Sequence, residues 1–158
     1  MLSQRVVDYL HSHQVPFSAQ HHPPAYSAQE IAEKAHISGR WVAKTVVVKL
    51  DGRLALCVIP ATERVNFSIL RQVAGSHTAE LAEEDEFVDS FPSCEPGAMP
   101  PFGDLFGMSV FVSDTLKQEH PLAFGSGDAS ELLMLSWQDF NRLEHPVLMT
   151  DRQRRSMG

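Results

Sequence analysis

The chain has 158 residues, of which 43% are hydrophobic and 21% charged, and its formal net charge is −7. This length and composition are typical of one globular domain and argue against a disordered chain. The negative charge argues against a broad nucleic-acid-binding surface, but it is compatible with a protein that binds only the end of an RNA. No segment forms a signal peptide or approaches the roughly 18 apolar residues of a membrane span, so we expect a cytoplasmic protein with no membrane partner.

The N-terminal half alternates helical and extended patterns. Ser27 and Glu30 form a capping box, Asp51 and Gly52 form a hairpin turn between Val-rich strands, and Asn66 is a helix cap. In chain order, the predicted elements are a helix over 2–13, an extended or turning segment around the prolines at 16, 23 and 24, a helix of about eight residues after Ser27, strands over 43–50 and 54–59, a helix over 67–74 and an acidic helix from 83 to about 90.

A loop rich in proline and glycine, called the Gly/Pro loop below, follows at 91–107. Its aromatic residues and low charge argue against a flexible linker. Beyond it we predict strands over 108–113, 122–124 and 132–135 and a last helix over 137–143, capped by Ser136. Short strands joined mainly by hairpins and loops predict an α+β fold: a single domain over 1–150 with a mixed, largely antiparallel sheet surrounded by helices. A basic tail at 151–158 either touches phosphate or is a solvated end.

Lys44 is the first candidate for chemistry. Because side chains alternate along a strand, Lys44 shares a face with Val46 and Val48, whereas Thr45 lies on the other face. An ammonium on an apolar face is costly without a partner. Two alternatives remain open: Lys44 lies near the strand end and extends to solvent, or it lines a pocket that accepts an anion.

The loop at 91–107 is the second candidate, since loops of this length within a compact domain are usually functional. Its glycines, such as Gly97 and Gly103, allow backbone conformations closed to other residues, and its prolines stiffen it. Its N–H groups can converge on an anion or a developing oxyanion. The alternative is a rigid surface loop that covers a sheet edge.

The other motifs do not indicate a metal site, a phosphate loop or a nucleophilic serine. The eight histidines show no HExxH pattern, and Cys57 and Cys94 lack a CxxC partner, so we expect no metal or cofactor and two free thiols. The segment at 124–128 resembles a tight bend and lacks the spacing of a phosphate loop. No serine has the setting of a nucleophile elbow.

Four segments together resemble the YbaK/prolyl-tRNA synthetase-associated domain family of aminoacyl-tRNA editing domains. They are AKTVVVK at 43–49, PGAMPPFG at 96–103, VSD at 112–114 and FGSG at 124–127. They occur in the family order, with similar spacings, over roughly residues 20–145.

The resemblance implies hydrolysis of the ester between an amino acid and the terminal adenosine of tRNA. It gives Lys44 the catalytic role, with water as the nucleophile and no metal. The loop would bind the aminoacyl end and offer backbone N–H groups of residues 97–101 to the ester oxygen. The substrate-binding residues so implied are Tyr26, Ser27, Thr45, Gly97, Ala98, Met99, Pro100, Pro101, Phe102, Gly103 and Gly127.

The expected substrate is a tRNA mischarged with alanine, serine or cysteine, bound by its acceptor end. An aminoacyl-tRNA synthetase is a further candidate partner, and DNA is not expected.

The chain departs from the family at one point. Several relatives carry a histidine just after the second glycine of the FGSG segment, where this chain has Asp128, Ala129 and Ser130. Asp128 and Ser130 are candidates to replace it.

Two other functions stay open. One is a non-catalytic adaptor that binds tRNA or a synthetase on the same fold. The other, a small-molecule esterase or nucleotide-binding protein, is disfavoured because the chain has neither a catalytic triad pattern nor a phosphate motif.

Overall fold

A computed structural model describes residues 4–91, 94–117 and 121–150. Its helices are α1 (Gln4–Ser12), α2 (Ala28–Ala35), α3 (Phe67–Ala74), α4 (Glu84–Phe87), α5 (Gly103–Phe106) and α6 (Trp137–Glu144). Its strands are β1 (Ser18–His21), β2 (Val42–Leu50), β3 (Arg53–Pro60), β4 (Ala79–Leu81), β5 (Val110–Ser113), β6 (Leu122–Gly125), β7 (Glu131–Leu135) and β8 (Val147–Met149). Short 3-10 turns lie at Gly39–Trp41, Val88–Ser90, Pro96–Ala98 and Asp114–Leu116. The basic tail at 151–158 lies outside the described residues.

Local signals in the sequence explain where several elements begin and end. The side chains of Ser27, Asn66 and Ser136 each accept a hydrogen bond from a backbone amide in the first turn of α2, α3 and α6, which satisfies a donor that the helix leaves open. The bounds predicted for α3 are confirmed. At the predicted hairpin, Asp51 and Gly52 both adopt positive φ, 50° and 83°, as a type I′ turn between twisted strands requires.

The strands form one mixed sheet in the order β1-β7-β6-β2-β3-β5-β8, with β4 also paired to β2. Four of the described pairings are antiparallel, β1–β7, β2–β3, β2–β4 and β6–β7. Three are parallel, β2–β6, β3–β5 and β5–β8. The predicted class, an α+β domain with a mixed and largely antiparallel sheet surrounded by helices, is confirmed.

Helices cover both faces of the sheet. On one face, α1, α6 and the Gly/Pro loop pack into a cluster that contains Leu10, Phe102 and Phe140. On the other face, α2 packs near the start of β2, around Val42, and α3 packs near its end, around Val48. Strand alternation puts Lys44 on this second face, between the part that α2 covers and the part that α3 covers.

The predictions missed three strands, β1, β4 and β8. Each has three or four residues, too few to show a period, and β1 reads SAQH, which carries no strand preference. The strand predicted to start at 108 starts at Val110, and the long loop contains α5 and a 3-10 turn. Among the described residues, no helix is long and apolar enough to cross a membrane.

Candidate active site

The sheet opens where β2 and β6 part. These parallel strands pair only at Val42 with Ala123 and Ala43 with Phe124, and the same side of β2 is paired again, with β4, from Val48 onward. A cavity of about 180 Å³ adjoins this gap. It is lined by Tyr26, Ser27, Ala28, Ile31, Ala43, Lys44, Thr45, Gly97, Met99 and Gly125. The cavity thus joins β2, the end of β6, the start of α2 and the Gly/Pro loop.

Of the described residues that line this cavity, Lys44 is the only one with a charged side chain. It is half-buried, and it stands opposite Ile59 of β3 in the strand register. Burial raises the pKa of the nearby Cys57 thiol to about 12, and the charge of Lys44 offsets part of that rise. Among the described residues no ion pair holds Lys44. Of the two alternatives left open by the sequence, the structure favours the one in which Lys44 lines a pocket.

The start of α2 forms a second wall. Ser27 caps the helix, its Oγ accepting from the Glu30 amide at 3.1 Å, and Ala28 and Ile31 line the cavity from the first two turns. The first amides of a helix have no partner inside the helix and carry partial positive charge. Together with Lys44, this end of α2 makes the cavity favourable for a negatively charged or electron-rich group.

Two glycines allow the Gly/Pro loop to lie close to the segment before α2 and to the end of β6. A Cβ placed on Gly97 would overlap the backbone carbonyl of Tyr26, and one placed on Gly125 would overlap the backbone of Ala98. The Gly127 amide also donates to the Ala98 carbonyl at 2.6 Å. Backbone therefore packs directly on backbone at both contacts, and any side chain at 97 or 125 would push the walls apart.

The remaining residues implied by the family resemblance do not contact the cavity directly. Pro100, Pro101 and Phe102 are buried, and the Phe102 ring packs in the core at 5.5 Å from the ring of Phe124. Gly103 begins α5, where a Cβ would overlap the Met108 carbonyl. Ala98, Pro100, Pro101, Phe102, Gly103 and Gly127 therefore do not line the cavity; they support the loop that does.

Only part of residues 97–101 has amides to offer a ligand. Pro100 and Pro101 have no N–H, and the Ala98 amide donates to the Glu95 carbonyl at 2.9 Å. Gly97 and Met99 are the other residues of this stretch with an amide, and both line the cavity. That loop amides bind the substrate stays a prediction, and it concerns these two positions.

Thr45 contributes an unusual polar group. Its hydroxyl oxygen is buried and finds no hydrogen-bond partner among the described residues, although Thr45 lines the cavity. A buried hydroxyl without a partner costs free energy, on the order of 1–3 kcal/mol. Such a group is expected where a ligand supplies the missing partner.

Several lining residues escaped prediction: Ala28, Ile31, Ala43 and Gly125. Gly125 belongs to the FGSG segment, of which only Gly127 was proposed, so the segment was the available signal. Ala28, Ile31 and Ala43 are apolar and look like ordinary core positions. The packing of α2 against the start of β2 and against β6 brings them to one cavity.

Asp128 and Ser130, the candidates to replace the histidine of relatives, lie apart from the cavity. Asp128 Oδ1 accepts hydrogen bonds from the Ser130 amide at 2.8 Å and from Ser130 Oγ at 2.7 Å, and neither residue lines the cavity. Two larger cavities, of about 640 and 760 Å³, lie beside the start of α3 and beside the β2–β3 hairpin. Neither is lined by Lys44 or by residues 97–101.

A family model of the aminoacyl-tRNA editing domain matches residues 22–143. The chain belongs to the aminoacyl-tRNA editing domain family. The match spans the start of α2, Lys44 and the Gly/Pro loop, and so contains every wall of the cavity. No curated protein matches the chain significantly.

Solved structures share the architecture of this editing domain. The hypothetical protein APE2540 superimposes with a TM-score of 0.82 at 21% identity, over 94% of this chain and 98% of that one. A proposed trans-editing enzyme for prolyl tRNA synthetase gives a TM-score of 0.78 at 16% identity, over 94% and 96% of the two chains. At these identities the likeness shows the fold alone.

Proposed function

We propose that this editing domain is a trans-acting deacylase, which hydrolyses the ester of tRNA mischarged with a small amino acid of the alanine, serine or cysteine class. The observation that carries the proposal is the cavity itself. It brings the single cation Lys44, the positive end of α2 and the amides of Gly97 and Met99 to one small space. These groups suit an ester carbonyl whose oxygen becomes negative during attack.

In the proposed reaction, a water oxygen bonds to the ester carbonyl carbon and the bond from that carbon to the ribose oxygen breaks. The water proton ends on the released ribose hydroxyl. Lys44 and the loop amides stabilise the oxyanion that forms between these events. Among the described residues, no carboxylate or imidazole lines the cavity. We therefore assign the transfer of the water proton to the substrate, either to its free ribose hydroxyl as a relay or to its own side chain.

The size of the cavity supports a small amino acid. A volume of about 180 Å³ corresponds to roughly six water molecules at about 30 Å³ each. Apolar walls from Ile31, Ala43 and Met99 suit a short aliphatic group, and the free hydroxyl of Thr45 suits a polar one. The acceptor end of the tRNA is the proposed partner; a synthetase that presents the tRNA is a second one.

The test is release of labelled amino acid from tRNAs mischarged with alanine, serine, cysteine and, for comparison, a large residue. Wild type and Lys44→Ala are compared on each. We expect hydrolysis of at least one small-residue tRNA, with the rate reduced about 10²- to 10³-fold in Lys44→Ala because a charge that stabilises the oxyanion is lost. The tRNA that carries a large amino acid should be hydrolysed no faster with enzyme than without it.

Lys49→Ala is the matched control. Lys49 lies on the same strand and pairs on the surface with Glu86, at 2.7 Å, so its loss should leave the rate within about twofold. Equal losses in both lysine variants would argue against a special role for Lys44. No hydrolysis of any tRNA by wild type, with tRNA binding retained, would favour the non-catalytic adaptor.

A further inference from the structure

The cavity is too small for the whole end of an aminoacyl-tRNA. Pockets that enclose a drug-sized ligand usually hold roughly 300–1,000 Å³, whereas this one holds about 180 Å³. This volume suits the aminoacyl group and the ester, and an adenosine bound with them would extend beyond it. If the ester binds inside, the terminal nucleoside must lie outside, against whatever surface surrounds the mouth.

Tyr26 is the exposed aromatic side chain at this mouth. It lines the cavity, yet 63% of its surface is exposed. Tyr26 precedes the helix cap Ser27, a position from which an apolar side chain often packs on the fourth helical residue, here Ile31. Ile31 is 1% exposed. Any contact that Tyr26 makes with Ile31 leaves most of the area of Tyr26 facing solvent.

The backbone under Tyr26 is held firmly. Its carbonyl packs against Gly97, where no side chain would fit, and the next residue is the cap of α2. A ring on a fixed backbone loses little conformational freedom when a flat ligand stacks on it. Aromatic rings serve in this way for single-stranded nucleic acids, since each base offers a π face.

We infer that Tyr26 is a stacking platform for the base of the terminal nucleoside of the substrate, so that the substrate is divided between an enclosed aminoacyl group and an exposed adenine. This inference rests on the proposed function for the ester that enters the cavity. It adds a separate subsite, with its own ligand chemistry, that recognises a nucleobase through one aromatic face.

The test uses two stable amide analogues of the substrate end. Both carry the same small amino acid on a 3′-amino ribose; one has adenine and the other has a hydrogen in its place. Dissociation constants are measured for wild type, Tyr26→Phe, Tyr26→Ser and Leu81→Ser. Leu81 is a matched control, because it is 57% exposed and lies on β4, outside the cavity lining.

The expected readout is the ratio of the two dissociation constants, which isolates the contribution of adenine. Wild type, Tyr26→Phe and Leu81→Ser should bind the adenine analogue more tightly by the same factor, roughly 5- to 150-fold. In Tyr26→Ser this ratio should fall towards one. A ratio near one in wild type, or a ratio that survives Tyr26→Ser, would overturn the inference.

Hydrolysis of mischarged tRNA by the same proteins separates this inference from the proposed function. If wild type shows the adenine preference but releases no amino acid, the nucleobase subsite stands and the deacylase proposal fails. If wild type releases amino acid and the ratio is near one, the deacylase proposal stands and Tyr26 is only part of the pocket wall.

Discussion

Lys44 and Lys49 lie on the same strand, and their surroundings differ in almost every respect. Near the hairpin, Lys49 pairs with Glu86 at 2.7 Å and Glu80 at 3.5 Å, and hydrogen bonding to Glu86 raises its pKa. At the other end of β2, Lys44 lines a cavity, and no ion pair in the described part of the chain neutralises it. The fold thus supplies the partners of Lys49, and we expect a ligand to supply the partner of Lys44.

The same contrast holds for the neighbouring polar groups. At the hairpin, the Asp51 carboxylate accepts from the amides of His77 and Thr78, at 3.0 and 2.8 Å. At the cavity, the Thr45 hydroxyl is buried without a partner among the described residues. Groups at the hairpin end therefore stabilise the fold, and groups at the cavity end are expected to affect activity more than stability. The two ends of β2 therefore differ less in the types of their residues than in whether each polar group already has a hydrogen-bond or ion-pair partner.

After Lys44→Ala, the largest change should come from Gly97→Ala. Its new methyl group would overlap the Tyr26 carbonyl, so the loop and the start of α2 must separate. We expect deacylation to fall at least about tenfold, because sub-ångström positioning governs such sites, and stability to fall by about 1–3 kcal/mol. Activity assays and denaturant unfolding measure the two effects.

Gly39→Ala is the control for Gly97→Ala. A Cβ there would meet only the end of the Thr62 side chain, at 2.9 Å, which can rotate away. This variant should keep its activity. If Gly97→Ala is as active as Gly39→Ala, the tight contact between the loop and α2 is not needed for the reaction.

Thr45→Val should have the opposite effect on stability. Valine has the same shape as threonine but no hydroxyl, so the cost of an unpaired buried oxygen disappears, and the free energy of unfolding should rise by about 1 kcal/mol. At the same time, the preference for a seryl over an alanyl ester should fall by roughly 5- to 10-fold, since one neutral hydrogen bond is lost.

Thermal unfolding and competition between seryl- and alanyl-tRNA measure both quantities for Thr45→Val. Thr78→Val is the comparison at the hairpin, because Thr78 Oγ1 donates to Asp51 at 3.2 Å and its loss should lower stability. A destabilised Thr45→Val with unchanged substrate preference would show that the Thr45 hydroxyl has a structural partner.

The smallest effect is expected from Asp51→Asn, and it depends on pH. Hydrogen bonds from the amides of Thr78 and His77 hold the pKa of the Asp51 carboxyl below its ordinary value, which is about 3.9. A lowered folded pKa means that the charged carboxylate stabilises the fold above pH 3.9 or so, and that this contribution is lost as the pH falls through the folded pKa.

Wild type should therefore be more stable than Asp51→Asn at pH 7, and the difference should shrink in acid. Urea unfolding at a series of pH values measures it. Deacylation at pH 7 should be unchanged, because Asp51 lies at the hairpin. A stability difference that grows in acid would contradict the assigned direction of the pKa shift.

Much of the fold was predictable because its signals are local. The cap residues Ser27, Asn66 and Ser136 and the Asp51–Gly52 turn act within a few residues of themselves, so they have the same effect in any tertiary context. The short edge strands β1 and β8 were missed because their pairing partners, β7 and β5, supply what their own sequences lack. Long-range pairing of this kind leaves little trace in three or four residues.

The candidate site divides in the same way. Of the residues named from the sequence, Tyr26, Ser27, Lys44, Thr45, Gly97 and Met99 line the cavity. The loop residues from Pro100 to Gly103 do not, because proline and phenylalanine side chains in this loop turn into the core. A motif identifies a segment, but it does not say which residues of the segment face the ligand and which ones anchor it.

Sequence patterns predicted the helix ends, the hairpin, the mixed α+β class and the face of β2 that carries Lys44, since each depends on neighbours in the chain. No sequence pattern predicted that β2 and β6 separate after two residue pairs, that backbone packs on backbone at Gly97, or that Tyr26 is exposed beside the opening. These features depend on strands and loops far apart in sequence, whose relative positions are fixed only when the whole core packs together.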